Sequence, residues 1–313
     1  MGKFIPDSDE FYHDSVAMNE LLEASSIRSY RNNITRIVKD TDAKTIHALL
    51  IDPAKYAPKF DTLFTYSNTR FSYFITVLVY LNNSGLKGKD RSIFLKWYKP
   101  YYALRKIVND QVNNHVPSKK QLKAMVAWAH VLKTRDSLKI GSMAHLVLSI
   151  YSYVPPRRQL DYFQLRIYND PKLNVPLTHN FFHTCHPKHG PLMYINKFKT
   201  VKHLHPFYNK EIPKELVDIF KQSYVANPRE FAFVDNNNEP FKLVNTFTQF
   251  TNNIFKKAFN NKYVTLNSIR HAFSTYSNNI PGITLHQRSR NAIQMGHTLK
   301  KDMAYELRRP DLP

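Results

Sequence analysis

Ser268-Ile269-Arg270-His271-Ala272-Phe273, followed by Met295-Gly296-His297 and then by Tyr305, is the stretch on which the reading of this chain turns. Apolar spacing predicts a helix over Leu266–Asn278, half buried through Phe273, so Arg270 is expected to face a pocket and not only solvent. Arg270 precedes His297 by 27 residues, and His297 precedes Tyr305 by 8. Working back, Pro155-Pro156-Arg157-Arg158-Gln159-Leu160-Asp161 closes an apolar helix predicted over Ile140–Tyr153. Between the two arginine segments, Asn196-Lys197-Phe198-Lys199-Thr200 lies in a run of β-formers, Leu192–Val201, which reads as a hairpin.

The rest of the chain supplies a setting for these residues. A length of 313 suits two domains, and 42% apolar content is enough for real cores. Only 7 Gly against 18 Pro, with long helical periodicities, favours helices over a large sheet. Residues 1–15 are polar and expected to fray. Helices are expected at Ser25–Lys39, capped by Ser25 or Ser26, and at Thr69–Leu81 and Phe94–Val108. These make residues 16–116 a small all-helical domain. Val116-Pro117-Ser118-Lys119-Lys120 reads as a linker, and 117–313 as a second domain. In it, helices are expected at Gln121–Lys133, Glu211–Tyr224 and Val244–Phe259, with a short strand at Phe231–Val234. The expected fold class is mainly α with a small antiparallel β-sheet, α+β.

Charge narrows the partner. Lys and Arg number 45 against 24 Asp and Glu, a net of +21, which points to a polyanion. Residues 1–117 carry a net of +4 and the remainder +17, so the basic surface is expected in the second domain. No apolar run is long enough for a membrane span, and the N-terminus does not read as a signal peptide. Cys185 is the single cysteine, so no intramolecular disulfide forms and a reducing, intracellular setting is the default. Nucleic acid is therefore the expected partner and a membrane is not. Binding mostly through phosphates would weaken steeply with salt.

The order Arg-His-x-Phe, Gly-His, Tyr resembles the catalytic end of the tyrosine recombinases, the phage-integrase-like enzymes. Arg158-x-x-Asp161 matches that family's first catalytic arginine and the acidic residue three places on, which favours Arg158 over Arg157. The Asn196–Thr200 segment sits where the family carries its catalytic lysine. Phe198-Lys199-Thr200 favours Lys199 over Lys197, while Lys188 and Lys202 are weaker candidates. The likeness spans the whole chain: a helical core-binding domain, a short basic linker and a catalytic domain ending in tyrosine. The Pro-Pro-Arg-Arg run and the Asn/Lys-rich composition resemble the branch found in large DNA viruses, virophages and related mobile elements. The resemblance implies a site of Arg158, Lys199, Arg270, His297 and Tyr305, with Asn267 at its rim. It also implies DNA held between the domains and tetramers on two duplexes. A monomer is expected in free solution, because no strongly apolar oligomerisation stripe is visible. The eight residues after Tyr305 leave no room for a long C-terminal helix.

Those residue types suit the chemistry on their own account. Two guanidiniums clamp the non-bridging oxygens of an attacked phosphodiester bidentately and stay charged. A tyrosine hydroxyl becomes a usable nucleophile among such cations, and an ammonium can protonate the leaving oxygen. The bond energy is kept in a phosphotyrosine, so neither metal nor other cofactor is expected. Acidic residues are sparse, and no Gly-rich GK[ST] loop occurs. One position departs from the family. Asn267 stands where members carry His or Lys, and an amide is neither acid nor base at neutral pH. That departure keeps open a DNA-binding protein of the same fold without chemistry. A type IB topoisomerase-like enzyme shares the chemistry and is the other alternative. His183, Cys185, His186 and His189 are too tightly spaced for the usual paired zinc ligands, and are expected as surface histidines of a polar loop.

Overall fold

The computed structural model describes residues 24–84, 90–173, 175–199 and 206–307. Residues 1–15, Thr200, Val201 and Lys202 lie outside that set. The chain divides into two compact units, Met1–Asn114 and His115–Pro313.

In unit 1 the described elements are all helical: α1 Ala24–Asp40, α2 Ile46–Ile51, α3 Pro53–Tyr56, α4 Lys59–Leu63, α5 Ser67–Asn83 and α6 Arg91–Asn113. The apolar stripe of α1 (Ile34, Ile37 and Val38) is buried with Leu49, Leu50, Phe60, Phe74, Val77, Leu81 and Trp97. Each such side chain contributes about 1.5–3 kcal/mol on leaving water. Trp97 Nε1 donates to the Leu50 carbonyl at 2.9 Å, so its one polar atom is paired inside this core. Ser25 and Ser26 lie inside α1 and are not its cap, because the helix already includes Ala24. The helices α2 to α4 are too short to show a period in sequence. Local caps set α2 and α3, with Thr45 accepting from Ala48 N, Asp52 from Lys55 N and Pro53 opening α3.

Unit 2 begins with α7 Lys119–Ala124, α8 Trp128–Ser137, α9 Met143–Tyr153 and α10 Gln159–Tyr162. Gln121–Lys133 is thus two helices and not one. The break at 125–127 lets Trp128 and Val131 turn into the core while α7 buries nothing. Strands β1 Arg166–Tyr168, β2 Phe181–His186, β3 Gly190–Ile195 and β4 Phe207–Asn209 follow. They form one sheet in the order β1-β2-β3-β4, with β1 parallel to β2 and the other pairs antiparallel. Helices α11 Lys214–Ala226, α12 Val244–Ala258, α13 Leu266–Asn278, α14 Leu285–Gln294 and α15 Leu299–Met303 complete the unit. The result is the α+β class, mainly helical with a small sheet.

The sheet differs in detail from the sequence expectation. It is mixed, and β3 ends at Ile195, so Lys197 and Lys199 lie past the strand and do not share a strand face. Phe231 and Val234 make only isolated bridges, to Arg166 and Pro240. Helix α9 is buried along almost its whole length and forms the centre of the core with Tyr162, Phe182, Phe220, Phe255 and Ile269. Phe182 of β2 stacks on Phe220 of α11 at 3.9 Å, which pins the sheet to the helical layer. Among the described residues no helix is long and apolar enough to cross a membrane.

Candidate active site

Helix α9 stops because Val154 precedes Pro155 and Pro156, which disfavour helical backbone before them and lack the N–H that would continue it. The chain re-enters a helix at α10 with Arg158 as its N-cap in extended conformation. This places Arg157 and Arg158 at a bend next to the end of α14.

That end is a Schellman turn. Gly296 N donates to Ile293 O at 2.9 Å, and His297 N to Ala292 O at 3.0 Å. Gly296 has φ +73°, a left-handed conformation that favours glycine. A helix C-terminus leaves carbonyls unpaired and carries partial negative charge. Here three guanidiniums take them. Arg157 Nη1 donates to Gln294 O at 2.7 Å, Arg158 Nη1 to Gly296 O at 2.9 Å, and Arg270 Nη1 to Met295 O at 3.3 Å. Arg270 Nη1 also donates to Pro156 O at 2.5 Å, tying α13 to the arginine bend. A Cβ built on Gly296 would lie 3.0 Å from Arg157 Nη2. Gly296→Ala is therefore expected to destabilise the protein by about 1–2 kcal/mol from backbone conformation alone. It should also displace His297. A shift in the denaturant midpoint measures the first effect.

His297 is held where the turn ends, 2% exposed, with Nε2 accepting from Arg270 Nη2. Burial, and then Arg270, Arg158, Arg157 and Lys301 in that order, push its pKa down to about 2. The ring is neutral, and since Nε2 is the acceptor its proton belongs on Nδ1. Asp161 is fully buried and pairs with Arg157, its Oδ2 2.8 Å from Nε. Burial raises the Asp161 pKa and the Arg157 charge opposes that rise. Asp161 thus serves Arg157, four residues before it, and not Arg158. Three guanidiniums and one carboxylate leave an excess of positive charge around a neutral histidine. Arg157 Nη2, Arg270 Nε and His297 Nδ1 are buried without a protein hydrogen-bond partner. Donors of this kind, aimed from a rigid bend, suit an anion with several acceptor oxygens.

Tyr305 closes the group. Helix α15 is docked on α13 by the buried Asp302, which accepts from Ser274 Oγ at 2.7 Å and Asn278 Nδ2 at 3.1 Å. Tyr305 N then donates to Asp302 O at 2.8 Å. The half-buried Tyr305 ring lies 4.9 Å from the His297 ring, and the Arg270 guanidinium lies over it at 5.1 Å. Burial lowers the Arg270 pKa, and the adjacent Tyr305 phenol is the largest opposing influence.

Of the residues expected at the site, Arg270, His297 and Tyr305 are in mutual contact. Arg158 is joined to them through Gly296. Asn267 is exposed in the first turn of α13, one turn before Arg270. Lys199 is exposed in the turn after β3, with no hydrogen bond or ion pair to the cluster. Its loop is anchored at its start by Asn180, which the sequence did not single out. Asn180 Oδ1 accepts from Asn196 N and Lys197 N, at 2.8 and 2.7 Å. Its Nδ2 donates to Asp161 O and Lys197 O, both at 2.8 Å. A single buried amide thus ties the lysine loop to the arginine bend.

Of the histidine group, His183, Cys185 and His186 lie on β2, and His189 lies in the turn that follows. His183 and His186 are buried on β2, and burial lowers both pKa values. Apolar β2 neighbours carry them inward, with His183 Nε2 3.2 Å from Leu173 O. Among the described residues no three His, Cys, Asp or Glu side chains are grouped to hold a metal ion.

No family model matches the sequence, and no curated protein matches it. Among solved structures, the chain is similar to the crystal structure of XerA recombinase, at 15% identity and a TM-score of 0.39. The match covers 97% of this chain and 95% of that one.

Proposed function

We propose that this protein is a DNA strand-transfer enzyme of the tyrosine recombinase type, which cuts and rejoins DNA through a 3′-phosphotyrosine. The observation that carries this reading is the convergence of the Tyr305 ring on Arg270 and His297, beside Arg158. The Tyr305 oxygen attacks phosphorus and forms the O–P bond as its proton passes to solvent water. The bond to the 5′ oxygen breaks, and that oxygen takes a proton to become a 5′ hydroxyl. Arg158, Arg270 and the His297 Nδ1 proton hold the non-bridging oxygens as charge builds on them. A 5′ hydroxyl reverses the step and rejoins the strand. The net charge of +21 supports a DNA partner gripped through phosphates. On the same reading the active assembly is a tetramer on two duplexes, formed from monomers. The Pro-Pro-Arg-Arg run and Asn/Lys-rich composition favour the branch of large DNA viruses, virophages and related mobile elements.

The test is a pool of randomised duplexes with a 5′-bridging phosphorothiolate, whose sulfur leaves and does not rejoin. A protein mass raised by the attached strand supports the reading. DNA binding without any adduct would instead indicate the non-catalytic alternative. Lys199 is assigned as the acid for the leaving oxygen. Lys199→Ala is expected to slow cleavage of an ordinary phosphodiester by about 100-fold or more. It should cleave the phosphorothiolate at close to the wild-type rate, because a thiolate departs without a proton. The same pattern in Lys197→Ala, and not in Lys199→Ala, would move the role to Lys197.

A further inference from the structure

His271 is the neighbour of Arg270 on α13, so its side chain points away from the arginine. It nevertheless meets Tyr305 from the other side. The His271 ring stacks on the Tyr305 ring at 4.7 Å, with 28° between the planes. Its Nδ1 donates to the Tyr305 carbonyl at 2.6 Å. The phenol ring thus contacts both histidines, stacked on His271 and edge-on to His297.

That hydrogen bond has one possible direction, because the Tyr305 carbonyl can only accept, and the far side of the ring is arranged to match it. Ser118 caps α7 in a capping box, and its N–H donates to Gln121 Oε1 at 2.9 Å. The carbonyl end of the Gln121 amide is therefore engaged, which turns Nε2 outward as a donor. Gln121 Nε2 lies 3.5 Å from His271 Nε2, so that ring nitrogen must accept. A neutral ring that accepts at Nε2 carries its proton on Nδ1, where the Tyr305 carbonyl waits. Burial first lowers the His271 pKa, the hydrogen bond to the Tyr305 carbonyl opposes it, and Arg270 and Lys301 add to the lowering. The next residue is tied to the same stretch of chain, because His115 Nδ1 donates to Glu306 O at 3.2 Å.

We propose that His271, oriented by Gln121 and assisted by His115, is a positioning residue that latches the Tyr305 peptide so that its phenol stays against Arg270 and His297. The proposal rests on Tyr305 being the nucleophile. It makes the placement of that nucleophile depend on residues 115–121, which directly follow unit 1 in the chain. It also separates two roles on one helix: Arg270 faces the phosphate, and His271 faces the residue that attacks it.

Two variants separate the hydrogen bond from the stacking. His271→Phe keeps the aromatic face and removes the donor. His271→Asn places an amide N–H close to the Nδ1 position and loses the ring. Hydrogen exchange of the Tyr305–Leu307 amides in the free protein reads the latch without any DNA. Exchange there is expected to rise about tenfold in His271→Phe, the worth of one buried hydrogen bond, and to stay within about threefold of wild type in His271→Asn. Adduct formation on the phosphorothiolate pool should slow about tenfold in His271→Phe with DNA affinity unchanged, and recover in His271→Asn. Unaltered exchange and unaltered adduct rate in a folded His271→Phe overturn the latch while leaving the nucleophile assignment intact. So does a rate that rises. A wild-type protein that forms no adduct overturns the assignment of function, and with it the catalytic purpose of the latch.

Discussion

Tyr305→Phe is expected to form no covalent adduct with phosphorothiolate DNA while binding the same DNA with unchanged affinity. The substitution removes one oxygen, the atom proposed to attack phosphorus, and no other side chain stands in its place. What the ring does for the fold is retained. Its ring contacts with His271, His297 and Arg270 belong to the aromatic face, and the hydrogen bond from His271 goes to the main chain, while the hydrogen bond between the phenol and Arg270 is lost. The stability change should be a loss of about 1 kcal/mol, the worth of one hydrogen bond, since the substitution opens no cavity. Intact mass after denaturation measures the adduct, and a filter or anisotropy titration measures binding. An adduct that persists in Tyr305→Phe assigns the nucleophile elsewhere and removes the basis of the mechanism.

Arg270→Lys should cost about 100-fold or more in the rate of adduct formation, with a smaller loss of affinity. Arg270 is fully buried and divides its guanidinium among Pro156 O, Met295 O and His297 Nε2. A lysine ammonium keeps the charge, but its single nitrogen cannot hold the arginine bend, the end of α14 and His297 together. It also loses the planar fork proposed to hold two phosphate oxygens in the transition state. Part of the effect will be structural, because carbonyls at a helix C-terminus lose a charged donor worth about 1.5–3 kcal/mol. A melting curve recorded beside the kinetics separates the two, since a folded variant that remains slow has lost transition-state stabilisation. A rate within a few-fold of wild type would show that Arg270 is a scaffold residue alone.

The candidate site was legible in the sequence to an uneven degree. Arg270, His297 and Tyr305 could be picked out because residue type and order mark them. The Schellman glycine before His297 also has a local signature. Arg157 was set aside in favour of Arg158 on spacing alone. The structure gives Arg157 the ion pair with Asp161 and gives Arg158 the Gly296 carbonyl, a division that depends on how two adjacent side chains splay at a proline bend. Spacing along the chain cannot express that direction. Asn180 and Gln121 carried no signal, because a polar residue that pairs with main-chain groups far away looks in sequence like any other amide. His271 and Arg270 are adjacent on a helix and face apart, yet both contact Tyr305, which the sequence gives no means of seeing.

By itself the sequence determined the α+β class, the helices long enough to show a 3.6-residue period, the basic bias of residues 118–313 and the residue types able to handle a phosphodiester. These follow from patterning and composition, which are local or additive properties. Tertiary structure alone decided the mixed order of the sheet, the break between α7 and α8, the burial of His183 and His186, and the partners of each arginine. It also brought His271 to the peptide of Tyr305, and to the other side of that ring a glutamine 150 residues earlier. Such features arise from contacts between segments far apart in the chain. Their energies depend on orientation at the ångström scale, and no periodicity in the sequence records it.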